Sequence, residues 1–122
     1  MITILVVEDN KINRITTKAI LEKLGYDVFI AKNGENAIQL FEMKKPDAIL
    51  MDIEMPGLDG IATLKKLQKR HEKDLAKVPV IAVTAHSSKE DRQKYFDAGV
   101  DDYLSKPFKP FELSTKLKKF NL

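Results

Sequence analysis

The chain contains no cysteine, which excludes disulfides and thiolate chemistry. It has only two histidines, His71 and His86, too few for a histidine-based metal centre, and both read as surface residues. No apolar stretch approaches the roughly 20 residues of a membrane span. The N-terminal run Ile4-Leu5-Val6-Val7 is short and follows no basic segment, so it is not a signal peptide. These absences predict a soluble, cytoplasmic protein with no membrane partner. Charge of one sign is not blocked either. Lys and Arg total 21, Asp and Glu 18, and the net charge of +3 is spread along the chain, which argues for no direct nucleic-acid contact. The basic group Lys65, Lys66, Lys69 and Arg70 reads as a solvated helix surface. Internal repeats, low-complexity tracts and linkers are also missing. A chain of 122 residues predicts one domain, residues 1–122, large enough to bury about two-thirds of its unfolded surface.

Short apolar runs are present, and they are regularly spaced. Ala48-Ile49-Leu50-Met51 is bounded by Pro46-Asp47 and Pro56-Gly57 and reads as a strand buried on both faces. Similar runs are 4–7, Asp27 to Ala31, Pro79 to Val83 and Asp101 to Leu104. Helical patterns fall between them: Lys11 to Leu24 after the cap Asn10, Glu35 to Met43 after Asn33-Gly34, and Ile61 to about His71 after Asp59-Gly60. A polar connection is expected over Glu72 to Lys77. A fourth helix opens on two overlapping capping boxes, Ser87 with Glu90 and Ser88 with Asp91, and stops at Ala98-Gly99. A last one starts at Pro110 and runs to about Phe120. Strict alternation of five strands and five helices predicts an α/β, doubly wound parallel sheet in the order 2-1-3-4-5.

Such a sheet carries its site outside the carboxyl ends of its strands. Four of the five runs end in polar groups: Glu8 and Asp9, then Asp52, Thr84 and Lys106. Each alone has an ordinary reading as a helix cap, a turn residue, a β-branched strand end or a surface lysine. Together they have a chemical logic. Three clustered carboxylates repel, and an all-oxygen site suits Mg²⁺, with Mn²⁺ as a substitute. Asp52 is then a candidate nucleophile, Lys106 a cation and Thr84 a hydroxyl donor for phosphoryl oxygens.

The segments Val7-Glu8-Asp9-Asn10, Leu50 to Gly60, Val83-Thr84-Ala85 and Tyr103-Leu104-Ser105-Lys106-Pro107-Phe108 carry a resemblance over nearly the whole chain. It resembles the response-regulator receiver domains of two-component signalling, a flavodoxin-like fold. The resemblance implies that Asp52 accepts a phosphoryl group from a phosphohistidine on a histidine kinase or histidine phosphotransfer protein. It implies Mg²⁺ on Asp9, Asp52 and the main-chain carbonyl of Glu54, with Glu8 acting through water. It further implies a cis peptide before Pro107, and Thr84 and Tyr103 as a pair that moves together on activation. The surface altered would be the fourth helix, fifth strand and fifth helix, where an output partner or a second copy of the chain would bind. The acidic pair is Glu-Asp rather than Asp-Asp. That opening, with Asn13 three residues on, and the long spacer after the third helix are similar to receivers of hybrid histidine kinases.

On the first helix, Asn13, Thr17, Ile20 and Leu24 form a stripe that can face the sheet. Ile12, Ile15 and Ala19 form a second apolar stripe with no core to serve. Related receivers dock the histidine-bearing partner there, beside Pro107 and Phe108. The competing function is a Mg²⁺-dependent phosphohydrolase with an aspartyl-phosphate intermediate. Against it stand the lack of an evident general acid (Glu54 would need a favourable pose) and of a cap domain to exclude water. Nothing resembling a DNA-binding or catalytic domain follows Phe120, so the expectation is a signal passed by contacts.

Overall fold

The computed structural model describes residues 1–122. Strands β1 (Thr3–Val7), β2 (Asp27–Ala31), β3 (Ala48–Asp52), β4 (Val80–Thr84) and β5 (Asp102–Ser105) alternate with helices α1 (Lys11–Lys23), α2 (Gly34–Lys44), α3 (Gly60–Leu75), α4 (Lys89–Asp97) and α5 (Pro110–Lys119). The strands are all parallel, in the order β2-β1-β3-β4-β5. Every residue of β3 and β4 is buried, as a sheet covered on both faces requires. The two-residue period divides the apolar runs between two cores. Leu5, Val7, Ile49 and Met51 pack in one with Ala37, Phe41, Leu64 and Leu67 of α2 and α3. Ile4, Val6, Ala48 and Leu50 pack in the other with Leu21 of α1 and Leu113 and Leu117 of α5. Each such fully buried Leu or Ile contributes roughly 1.5–3 kcal/mol.

Side-chain caps start four helices. Asn10, Asn33, Asp59 and Ser88 accept from the backbone N–H three residues on. One helix has one N-cap, so of the two overlapping boxes at α4 only the Ser88–Asp91 pairing forms.

Two local expectations are corrected. The third helix does not end at His71. His71 leaves helical geometry (φ −136°, ψ 40°), yet α3 resumes and runs to Leu75. The polar residues 72–74 face solvent while Leu75 returns to the core, and that one anchor holds the extra turn. His71 is accordingly half-buried, its Nε2 2.9 Å from Glu42 Oε1 and its ring tilted against Phe41. On α1 the buried residues are Thr17 and Leu21, with Ile20 half-buried, while Asn13 and Leu24 are exposed. Leu24 is the C-cap of α1, where the chain already turns into Gly25 (φ +97°), so Leu21 takes its place in the core.

Asp102, at the start of the edge strand β5, is buried and bonded to Lys116 Nζ at 3.0 Å, Lys119 Nζ at 3.2 Å and the N–H of Tyr103. Burial alone would raise its carboxyl. The Tyr103 N–H and the two lysines outweigh that and hold it below the usual range. Asp102→Ala is expected to cost about 2 kcal/mol in urea unfolding, because it strands a backbone N–H and unpairs α5 from β5. A loss below ~0.5 kcal/mol would show that α5 is held by its apolar face alone.

Candidate functional site

The chain leaves β1, β3 and β5 along one edge of the sheet, and a further ladder bond guides each exit. Glu8 N–H donates to Ala31 O (3.0 Å), Ile53 N–H to Val83 O (3.1 Å) and Lys106 N–H to Thr84 O (2.8 Å). Residues far apart in sequence therefore converge. Ligand oxygens of Glu8, Asp9 and Asp52 all lie within 4.8 Å of one another. Lys106 Nζ stands 3.1 Å from Asp52 Oδ1 and 3.5 Å from Glu8 Oε1. The Lys106–Pro107 peptide is cis. Asp52 Oδ1 also accepts the N–H of Glu54 at 3.2 Å.

Asp52 is 2% exposed and Glu8 5%, while Asp9 faces solvent. Burial, then the adjoining Glu8 carboxylate, push Asp52 up to about 8 against the pull of Lys106. Burial would raise Glu8 too. Its hydrogen bond to Asp52, the Lys106 charge and the N–H of Asn10 outweigh this and hold it low. Burial opposes the Lys106 charge, but the two carboxylates more than offset it and raise the ammonium. Below a pH of about 8 Asp52 therefore holds a proton that a cation would have to displace. Carboxylate oxygens, mutual repulsion and an open side at Asp9 fit a hard divalent ion.

Of the remaining site candidates, Thr84 is fully buried, but its hydroxyl is turned away from Asp52. It donates to Glu54 Oε1 and accepts the N–H of His86 at 2.9 Å. Tyr103 is half-buried on β5. Its hydroxyl accepts from Arg92 at 3.0 Å, and Phe96 meets its ring edge-on. Ile12 (74% exposed), Ile15 (60%) and Ala19 lie open on α1. Pro107 and Phe108 line an adjoining groove of about 430 Å³ with Asn13, Thr17 and Ile20. Pro107 is exposed and Phe108 half-buried against the α1–α5 core. His86 is exposed, its Nε2 3.8 Å from Glu54 Oε1.

Two residues had no counterpart in the sequence reading. Arg14 Nη1 donates to the carbonyls of Glu8 (3.2 Å) and Asp9 (2.7 Å), fixing the turn that presents both acids. Its only sequence signal is one turn's distance from Asn10. Tyr95 Oη lies 3.1 Å from Thr84 Oγ1. It is the one buried residue of α4, and no periodicity marks it.

The chain matches the response regulator receiver domain family over residues 4–118. It is 40% identical over 112 residues to hybrid signal transduction histidine kinase I of Dictyostelium discoideum, a match covering 88% of this chain and 6% of that protein. It is 39% identical over 120 residues to the aerobic respiration control sensor protein ArcB of Escherichia coli (98% and 15%). The chain thus spans only a small part of these relatives. Among solved structures, the receiver domain of sensor histidine kinase PA1611 of Pseudomonas aeruginosa, with a magnesium ion coordinated in its active site cleft, is 39% identical. It covers 97% of this chain and 95% of its own, with a TM-score of 0.87. Chemotaxis protein CheY4 of Vibrio cholerae reaches a TM-score of 0.92 at 27% identity, with 98% of each chain covered. With its strand order, its strand-end acids and lysine, and a match over nearly its full length, the chain belongs to the response regulator receiver domains of two-component systems.

Proposed function

We propose that residues 1–122 act as one phospho-accepting switch. Asp52 takes a phosphoryl group from a phosphohistidine of a histidine kinase or histidine phosphotransfer protein. The observation that carries this reading is the buried Asp52 carboxylate, held 3.1 Å from Lys106 within an acidic trio. In the transfer, an Asp52 oxygen bonds to phosphorus as the phosphorus–nitrogen bond breaks, and the released imidazole keeps the electron pair. Lys106 keeps a positive charge beside the reacting oxygens. Asp9, Asp52 and the main-chain carbonyl of Glu54 would hold Mg²⁺ or Mn²⁺, with Glu8 behind them. When bound, the ion supplies the positive charge that relieves repulsion between the carboxylates and the phosphoryl oxygens. The magnesium ion coordinated in the active site cleft of the related kinase receiver supports a divalent ion at this site. Afterwards Thr84 turns its hydroxyl to the phosphoryl group, Tyr103 repacks, and the α4–β5–α5 surface changes for an output partner or a second copy. The two Dictyostelium relatives described as hybrid signal transduction histidine kinases, I and L, support a receiver of that subtype.

The proton held by Asp52 links metal binding to pH. Asp52 is raised, to about 8, so it ionises only as pH rises through that value. Mg²⁺ must displace the proton below it. Affinity measured by calorimetry is expected to rise up to tenfold per pH unit from pH 6 and to level off above about 8. A flat profile would remove that proton from this account.

Ile12, Ile15, Ala19, Pro107 and Phe108 are where the protein phosphodonor would dock. Ile15→Glu is expected to slow transfer from a phosphorylated partner about tenfold, equivalent to ~1.4 kcal/mol, and to leave labelling by acetyl phosphate intact. Equal loss of both would assign Ile15 to stability instead.

A further inference from the structure

The turn between β4 and α4 is anchored from two sides. From the β3 side, Glu54 Oε1 accepts the Thr84 hydroxyl proton. From the α4 side, the Tyr95 phenol shares its one proton between the carbonyl of His86 (2.9 Å) and Thr84 Oγ1 (3.1 Å). With its own proton on Glu54, Thr84 Oγ1 can only accept from Tyr95, as it does from the N–H of His86. The Thr84 hydroxyl therefore cannot turn toward Asp52 without losing Glu54 and disturbing the Tyr95 contact. Glu54 stands partly in solvent and can exchange its bond for water, whereas Tyr95 is 4% exposed and shares a core with Val80 and Ala82 of β4. A buried hydroxyl has no water to turn to, so Tyr95 is the stiffer of the two anchors.

The same helix carries Arg92, which donates to the Tyr103 hydroxyl at 3.0 Å and stacks over its ring. Arg92 and Tyr95 are three residues apart and move as one piece of α4. Thr84 and Tyr103 share no side-chain hydrogen bond; their strands pair directly, Ala82 beside Tyr103 and Thr84 beside Ser105, and α4 adds a side-chain route between the two residues.

We propose that Tyr95 is the positioning residue that holds Thr84 in the resting arrangement, and that α4, through Tyr95 and Arg92, transmits the movement of Thr84 to Tyr103. This rests on the roles proposed above for Asp52 and Thr84. Tyr95 gives the resting state a bond that the phosphorylated state gives up, and this differential contact makes a two-state element.

The test uses beryllofluoride with Mg²⁺ as a phosphoryl mimic, followed by amide NMR on the whole chain. Tyr95→Phe keeps the ring and removes the phenol. It is expected to bind the mimic about fivefold more tightly, the effect of one net hydrogen bond lost from the resting state. Its ligand-free signals over residues 84–106 should already lie part-way to their bound positions. In a Thr84→Ala background the same change should have no effect, which separates action through Thr84 from a general loosening. Arg92→Ala should keep the shift of the Thr84 amide on binding the mimic but remove that of the Tyr103 amide. Unchanged affinity and signals in Tyr95→Phe would overturn the proposal, as would an undiminished effect without Thr84. A wild-type Tyr103 response in Arg92→Ala would overturn the α4 link. Failure of the wild type to bind the mimic would instead overturn the phospho-accepting reading, and this one with it.

Discussion

Asp52→Asn takes up no phosphoryl label from acetyl phosphate and Mg²⁺, where the wild type gains one group by intact mass. The amide is nearly isosteric with the carboxylate and leaves an acceptor for Lys106 and for the Glu54 N–H, so the fold is kept. What it lacks is nucleophilicity, and the expected loss is a hundredfold or more, on the scale seen when a covalent nucleophile is removed. EDTA should give the same result on the wild type, because the acidic trio then meets the incoming phosphate with no cation to offset it. The variant should also be the more stable protein without metal. Folded Asp52 keeps its proton up to about 8, whereas an unfolded Asp loses it near ~4. Between those values folding takes up a proton, so this group's contribution falls as pH rises from about 4 to about 8. Asn carries no such penalty, and its urea midpoint at pH 8 should lie above that of the wild type. Loss of label with a lowered midpoint would mean misfolding, and full labelling would remove Asp52 from the chemistry.

Gly60→Ala is expected to cost about 3 kcal/mol, the upper end for overpacking against atoms that cannot yield. A Cβ built on Gly60 collides with the Asp52 carbonyl and the Ile53 Cα, both backbone, and presses on Met51 Cγ. Gly60 opens α3, and its N–H donates to Ile53 O at 3.2 Å, so the helix start is seated directly on the end of β3. To admit a methyl, α3 must lift or the Asp52–Glu54 backbone must shift. The second course moves Asp52 relative to Lys106 and to the Glu54 carbonyl, so labelling should fall along with the unfolding midpoint. Gly57, three residues earlier, is a useful comparison. It has φ +75° with open space around it, so Gly57→Ala should cost only about 1 kcal/mol of backbone strain and leave labelling near normal. If Gly60→Ala cost no more than Gly57→Ala, the close seating of α3 on β3 would be wrong.

These two glycines show where reading residues stops. In the string Pro56-Gly57-Leu58-Asp59-Gly60 they look alike, but one is needed for its backbone angle and the other for the room it leaves. Neither reason can be seen without the neighbouring chain. The architecture was far more legible. Buried parallel strands announce themselves as unbroken apolar runs, and parallel pairing puts all their carboxyl ends at one edge. The polar residues that end four of those runs, Glu8 with Asp9, Asp52, Thr84 and Lys106, could therefore be grouped with no distance known. Local sequence rules carried that much because period, caps and strand ends depend on residues close in the chain. Side-chain aim does not. The hydroxyl of Thr84 points to Glu54 rather than Asp52 because Tyr95 and the His86 backbone, supplied by a separate helix and turn, complete its bonds there. Arg14 reaches two carbonyls of the β1–α1 turn, and Leu75 extends α3 past a broken turn, for the same kind of reason. A rotamer, or the last turn of a helix, is chosen by differences of about 1 kcal/mol, and those come from whatever the folded chain packs alongside.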